Sequence, residues 1–181
     1  MKGWEALGEL GRKENTVEGN NKIEKIRKLQ GTGRLSQAGW EDGQNDLGRQ
    51  ELIKIALSGL SRSYAPYSRF HVSAALLCKN GKVYTGNNIE NAAYSPGICA
   101  ERCAFAKAVS EGEREFESIV ICGGPEGRAL AECPPCGVCR QVMREFCLPD
   151  TFSVILAKEN GEYREFTLAQ LLPESFGPEL L

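Results

Sequence analysis

The sequence predicts an α/β fold in which a mixed sheet is covered by helices. Three observations lead there. Strand-like and helix-like stretches alternate between about residues 46 and 172. Two Asn-Gly pairs, Asn80-Gly81 and Asn160-Gly161, each separate two β-like runs and signal tight hairpins. Two cysteine-bearing segments, Ile98–Arg102 and Pro134–Gln141, stand where a loop enters a helix-like stretch. Hairpins give antiparallel neighbours and strand–helix–strand units give parallel ones, so the sheet is expected to be mixed.

The globular part begins near Asp46, where Leu52, Ile53, Ala56, Leu57 and Leu60 fall on one helical face. Ala65-Pro66-Tyr67-Ser68 breaks that helix. Residues 69–78 are apolar enough for a buried strand, and 82–89 form its hairpin partner. Pro96-Gly97 punctuates the chain before a helix over 99–109, which stops near Gly112. A strand over 115–122 is closed by Gly123-Gly124-Pro125. A polar loop leads to a helix over 136–146. Thr151 to Ala157 is a strand, and Tyr163 to Phe166 returns antiparallel to it. Thr167 is placed to N-cap a last helix, Leu168 to Leu172, stopped by Pro173.

A length of 181 residues suits one domain with chain to spare. Residues 1–47 are polar, and a segment so poor in apolar side chains cannot bury enough surface to offset its ordering entropy. They are expected to form a solvated tail, with at most one amphipathic turn at Ile23, Ile26 and Leu29, leaving 48–181 as the folded domain. The net charge of −2 offers no case for nucleic acid or membrane as a partner. The longest strongly apolar run, Ala74 to Cys78, is far too short to span a bilayer. No apolar export core is visible near the N-terminus, so a cytoplasmic location and reduced thiols are expected for the eight cysteines. His71 is the single histidine, which excludes a histidine-rich metal site.

Cys136 and Cys139 have the two-residue spacing that lets two thiolates hold one tetrahedral Zn²⁺, and Cys99 offers a third sulfur. Three protein ligands beside a carboxylate, Glu101, describe a catalytic zinc, with one position left for water. Helix N-termini favour thiolate over thiol. Arg102 and Arg140 lie beside the ligands, ready to offset the excess negative charge of an all-thiolate zinc. Glu101 would move the protons. A structural four-cysteine zinc is the competing reading, because Cys103 lies one helical turn beyond Cys99 and Cys133 three residues before Cys136. Spacing alone does not separate the two. The C-x-E and P-C-x-x-C pattern, which is that of zinc deaminases, favours catalysis. Cys78 and Cys122 read as small core residues, and His71 as a packed or hydrogen-bonded one.

With these motifs in view, the chain resembles the cytidine deaminases of the short, homotetrameric class. The resemblance rests on Cys99-Ala100-Glu101-Arg102 and on Pro135-Cys136-Gly137-Val138-Cys139-Arg140-Gln141. It rests also on Tyr64-Ala65-Pro66-Tyr67-Ser68-Arg69-Phe70, on Asn88-Ile89-Glu90-Asn91-Ala92 and on the run from Leu171 to Pro178. It implies a three-layer α/β/α sandwich with a five-stranded mixed sheet. It implies hydrolytic deamination of cytidine and deoxycytidine in pyrimidine salvage, with one Zn²⁺ per subunit on Cys99, Cys136 and Cys139 and with Glu101 as proton shuttle. It also implies that Asn88 and Glu90 bind the ribose, Phe70 stacks on the pyrimidine and Ala100 offers its backbone to the base. Tyr94 and Phe176 would reach a neighbouring subunit's site.

A carboxylate at Glu90 would repel a phosphate, which favours a nucleoside over a nucleotide. The chain departs from the family's usual residues at Ser73, Asn87, Cys103, Pro134 and Val138. Two rivals remain: deamination of another aminopyrimidine or of nucleic acid, and a non-catalytic, zinc-stabilised interaction domain. An acidic balance without a basic stripe argues against nucleic acid.

Overall fold

A computed structural model of the protein describes residues 42–128, 130 and 132–181. The expected tail lies outside these residues as far as residue 41, and with it the turn at Ile23, Ile26 and Leu29. Helix α1 spans Asp42–Gly59 and buries Leu52, Ile53 and Ala56. A 3-10 turn, Leu60–Arg62, follows, and the Tyr64–Phe70 segment leads into the sheet.

Strands β1 (Phe70–Cys78) and β2 (Val83–Asn87) form the first hairpin. At its turn Gly81 has φ +84°, a left-handed conformation that glycine adopts without steric cost. The Asn80 side-chain carbonyl accepts from the Lys82 amide and fixes the bend. Strands β4 (Ser153–Ala157) and β5 (Tyr163–Thr167) repeat the device, with Gly161 at φ +84° and the Glu162 amide donating to Asn160. Thr167 and Gln170 form a reciprocal capping box at the start of the short helix Leu168–Leu171. Helix α2 spans Ala100–Ser110 and helix α3 spans Gly137–Phe146; Cys99 and Cys136 are their N-caps.

Strand β3 (Phe116–Pro125) runs further than its sequence suggests. Gly123, Gly124 and Pro125 were expected to close it, yet they pair with Val72, His71 and Phe70 of β1. The partner strand is some fifty residues away, so no local signal carries the extension. At Gly123 a side chain would stand 2.9 Å from the His71 carbonyl, so the glycine suits this close ladder.

The sheet order is β2-β1-β3-β4-β5, with β3 and β4 parallel and the other neighbours antiparallel. Alternate residues of each strand enter opposite cores. Ala75, Leu77, Val120, Cys122, Ile155 and Ala157 pack with α1. Ala74, Leu76, Ile119, Ile121, Val154 and Leu156 pack with α2 and α3. The result is the expected three-layer α/β/α sandwich on a five-stranded mixed sheet. Cys78 and Cys122 are fully buried in it, and desolvation raises both thiols to about 12.

One contact sets how closely α2 approaches the sheet. A Cβ at Gly86 would lie 2.1 Å from the Ala100 carbonyl and 2.5 Å from the Ala104 amide nitrogen. Both are backbone atoms and cannot rotate away. Gly86→Ala is therefore expected to lose about 1–3 kcal/mol in denaturant unfolding, the range for overpacking a tight core.

Topology also gathers one end of the sheet. β1 is antiparallel to both β2 and β3, so those two strands run the same way. The helices that follow them, α2 and α3, start at the same edge, where β1 begins at Phe70. The segments bearing the candidate site residues 70, 88, 99 and 136 meet there.

Candidate active site

Both cysteine-bearing segments turn from extended backbone into helix at a cysteine. Cys99 (φ −76°, ψ 156°) and Cys136 (φ −68°, ψ 166°) accept the first helical hydrogen bonds through their carbonyls, from the Cys103 and Arg140 amides. Neither thiol caps its own helix, so both sulfurs are left to point elsewhere. Cys139, one turn into α3 from Cys136, is buried.

The three sulfurs converge. Sγ of Cys99 is 3.9 Å from that of Cys136, which is 3.6 Å from that of Cys139, and all three lie within 4.8 Å of one another. Sulfurs bound at about 2.3 Å in a tetrahedral arrangement would be about 3.8 Å apart, so the donor set fits a zinc ion. Cys103 and Cys133 are not in this cluster. The Cys103 Cβ faces Gly86 of β2, 3.0 Å from where a Cβ there would stand. The Cys133 sulfur lies over Gly123, and burial, with Glu101 and Cys99 adding like charge, raises its thiol to about 11.

Charge is unevenly shared within the cluster. Hydrogen bonding from Cys139 is the main cause that holds Cys99 down to about 5, against its own burial; Cys136 and the Arg102 guanidinium act the same way. Cys139 is raised correspondingly, first by that same hydrogen bond and then by burial. The cluster thus favours the thiolate at Cys99, the form a metal requires.

Glu101 occupies the first turn of α2 and is 4% exposed. Burial raises its carboxyl above the ordinary carboxylate range; the Cys99 charge adds to this, while its own backbone amide, Cys139 and Arg102 oppose it. A carboxyl pushed toward neutral pH can both take and give a proton.

Both arginines bind backbone. Arg102 donates to the Gly97 carbonyl at 3.0 Å while contributing positive charge to Cys99. Arg140 donates to the carbonyls of Pro135 (2.7 Å) and Leu171 (2.6 Å) and so ties the loop before Cys136 to the C-terminal segment.

Asn88 follows β2 directly. Its Oδ1 accepts from the Val72 amide at 2.8 Å and from the Ser63 hydroxyl, and its Nδ2 donates to the Phe70 carbonyl at 2.8 Å. Glu90 Oε2 accepts from the Tyr67 and Ser68 amides (2.9 and 3.2 Å). A hydrogen bond from the Ser68 side chain leads the causes that hold its carboxyl below the usual range, followed by the Tyr67 amide. Phe70, half-buried, opens β1. Ala100 is fully buried at the start of α2. Tyr94 is 97% exposed and Phe176 is 56% exposed.

Residues 48–155 match the family model for the cytidine and deoxycytidylate deaminase zinc-binding region. The chain belongs to this family. It is 47% identical over 131 residues to a cytidine deaminase of Halalkalibacterium halodurans, covering 72% of the chain and 96% of that relative. It is 45% identical over 130 residues to one from Sporosarcina psychrophila, covering 72% and 92%. A crystal structure of cytidine deaminase from Burkholderia pseudomallei aligns with a TM-score of 0.63 at 42% identity, over 70% of this chain and 97% of that one. Membership in this family makes zinc the metal that the cysteine triad on this α/β sandwich could hold.

Two features of this family member escape a sequence reading. Arg144, 8% exposed, donates through Nε to Ser175 Oγ at 2.9 Å and through Nη2 to Glu179; a side chain at Gly177 would collide with its guanidinium. Gln141 donates to the Phe176 carbonyl at 3.1 Å. Helix α3 therefore fixes the backbone that presents Phe176. The only sequence signal is that Arg144 follows Arg140 by one turn. The departures Ser73 and Asn87 prove to be one feature. They are register partners across β1 and β2, and both meet Gly59 at the end of α1. Asn87 donates to the Gly59 carbonyl at 2.7 Å, and the Ser73 hydroxyl lies 2.2 Å from where a Gly59 Cβ would be.

Proposed function

We propose that this chain is a zinc-dependent cytidine deaminase, converting cytidine and deoxycytidine to uridine and deoxyuridine with release of ammonia. The observation that carries the proposal is the buried Glu101 carboxyl set two residues beyond Cys99 of a three-sulfur cluster. Cys99, Cys136 and Cys139 hold one zinc per subunit, and such a three-ligand zinc binds and acidifies a water. Glu101 takes a proton from the attacking water and passes it to N3 of the base as oxygen bonds to C4. It then carries a proton to the departing 4-amino group, which leaves as ammonia, and C4 becomes a carbonyl. The raised pKa of Glu101 supports this double role.

Phe70 stacks on the pyrimidine and the Ala100 backbone meets its edge. Asn88 and Glu90 take the sugar hydroxyls, an amide and a carboxylate being suited to a neutral diol. Arg102 and Arg140 hold the ligand segments. Tyr94 and Phe176 complete a neighbouring subunit's site in a homotetramer; their exposure in the single chain supports this reading. The enzyme acts in cytoplasmic pyrimidine salvage on free nucleosides. No helix among the described residues is long and apolar enough to cross a membrane. Residues 48–181 form the deaminase domain, with helix α1 reaching back to Asp42 and so shortening the tail expected over 1–47; limited proteolysis that removes residues before Asp42 should leave activity intact.

Ammonia release tests the reading. Purified, zinc-loaded protein is offered cytidine, deoxycytidine, cytosine, deoxycytidylate and single-stranded DNA. Turnover of the two nucleosides, abolished by a chelator, is expected. Turnover confined to DNA, the free base or the nucleotide would refute the nucleoside assignment. A flat response to every substrate would favour a zinc-stabilised interaction domain.

A further inference from the structure

We infer that Ser63 is a positioning residue for the sugar subsite, acting through the Asn88 amide. The inference rests on the assignment of Asn88 to the sugar made above. Ser63 sits at the end of the 3-10 turn after α1, where its backbone (φ −63°, ψ 135°) leaves the turn and its amide donates to the Leu60 carbonyl. It is half-buried, and its hydroxyl donates to Asn88 Oδ1.

An asparagine amide has an acceptor oxygen with two lone pairs and two N–H donors. Here both lone pairs of Oδ1 are used, by the Ser63 hydroxyl and the Val72 amide, and one N–H goes to the Phe70 carbonyl. One N–H is left over. The Val72 N–H, which can only donate, and the Phe70 carbonyl, which can only accept, hold the amide against flipping, and the Ser63 hydroxyl adds a third anchor to Oδ1. The amide can then meet a substrate only as a donor. The two partners in β1 set that polarity, and Ser63, from outside the β-ladder, steadies the angle at which the remaining N–H is presented.

The same segment is tied to the site repeatedly. The Tyr64 amide donates to the Asn88 carbonyl at 3.0 Å, the Glu90 amide donates back to the Tyr64 carbonyl at 2.8 Å, and the Tyr67 and Ser68 amides hold the Glu90 carboxylate. Backbone bonds thus fix where Asn88 and Glu90 stand. In the 63–68 stretch, Ser63 is the residue whose side chain sets how Asn88 is turned.

The test compares two competitive inhibitors of cytidine turnover, uridine and 2′,3′-dideoxyuridine, which differ only in the sugar hydroxyls. Ser63→Ala should raise the KM for cytidine and the Ki for uridine by about three- to tenfold, the effect of one hydrogen bond. It should move kcat less, and leave the Ki for dideoxyuridine unchanged. Ser63→Thr, which keeps the hydroxyl, should restore the uridine Ki. An equal rise for both inhibitors would overturn the proposal in favour of a general structural role, as would no rise for either or a Thr variant as impaired as Ala. Asn88→Ala is measured alongside. If it too fails to weaken uridine selectively, the sugar assignment of Asn88 fails and the role of Ser63 with it. If Asn88→Ala weakens uridine selectively and Ser63→Ala does not, only the positioning role fails.

Discussion

Glu101→Gln is expected to fold, to bind zinc and to lose turnover by about 10²–10⁴-fold, the range for removing a positioned general acid–base group. Glutamine matches the volume of glutamate and keeps a carbonyl that can accept hydrogen bonds, so the buried start of α2 is refilled without a cavity. It cannot take a proton from water at neutral pH. The helix should tolerate the change, because Glu101 sits 4% exposed with its charge disfavoured by burial and by the Cys99 thiolate. Removing that charge relieves a like-charge contact, so the melting temperature should stay level or rise. Metal content, melting temperature and kcat are measured on one preparation. Near-normal deamination by a zinc-loaded Glu101→Gln protein would remove Glu101 from the proton path.

Much of this was legible in local sequence because the relevant physics is local. Asn-Gly forces a hairpin through the left-handed backbone it demands, and Gly81 and Gly161 adopt that backbone. Thr167 and Gln170 cap a helix across three residues, and Cys136 and Cys139 share one helical turn. What could not be read depends on partners distant along the chain. Strand β3 continues to Pro125 because Phe70 pairs with it. Arg140 was expected to serve the sulfurs, whereas its guanidinium donates to two backbone carbonyls, Pro135 and, thirty-one residues on, Leu171. Ser63 and Asn88 lie twenty-five residues apart, and neither carries a pattern that announces the other. Ser73 and Asn87 read as two unrelated departures until the β1/β2 register makes them neighbours over Gly59. Residue types thus indicated the chemistry, whereas the sheet decided which side chains meet.

Cys99→Ala and Cys103→Ala should separate sharply, although the two thiols are one helical turn apart. Cys99→Ala removes one of three converging sulfurs. The two that remain, Cys136 and Cys139, give a two-ligand site, and zinc should be absent after dialysis against a weak chelator. Because a ligand bound only by the folded state stabilises it by mass action, the wild-type protein should melt higher with zinc than without, and Cys99→Ala should show little of that difference. Cys103→Ala should retain one zinc per chain and the full zinc-dependent rise in melting temperature, since its side chain faces Gly86 of β2 rather than the cluster. Shortening it removes a sulfur from the packing between α2 and β2, so a modest drop in stability that is the same with and without zinc is the expected cost. Loss of zinc from Cys103→Ala would instead make it a fourth ligand. A four-sulfur site closes the coordination position that a hydrolytic zinc must keep for water, so that single result would also withdraw the catalytic role argued for Glu101.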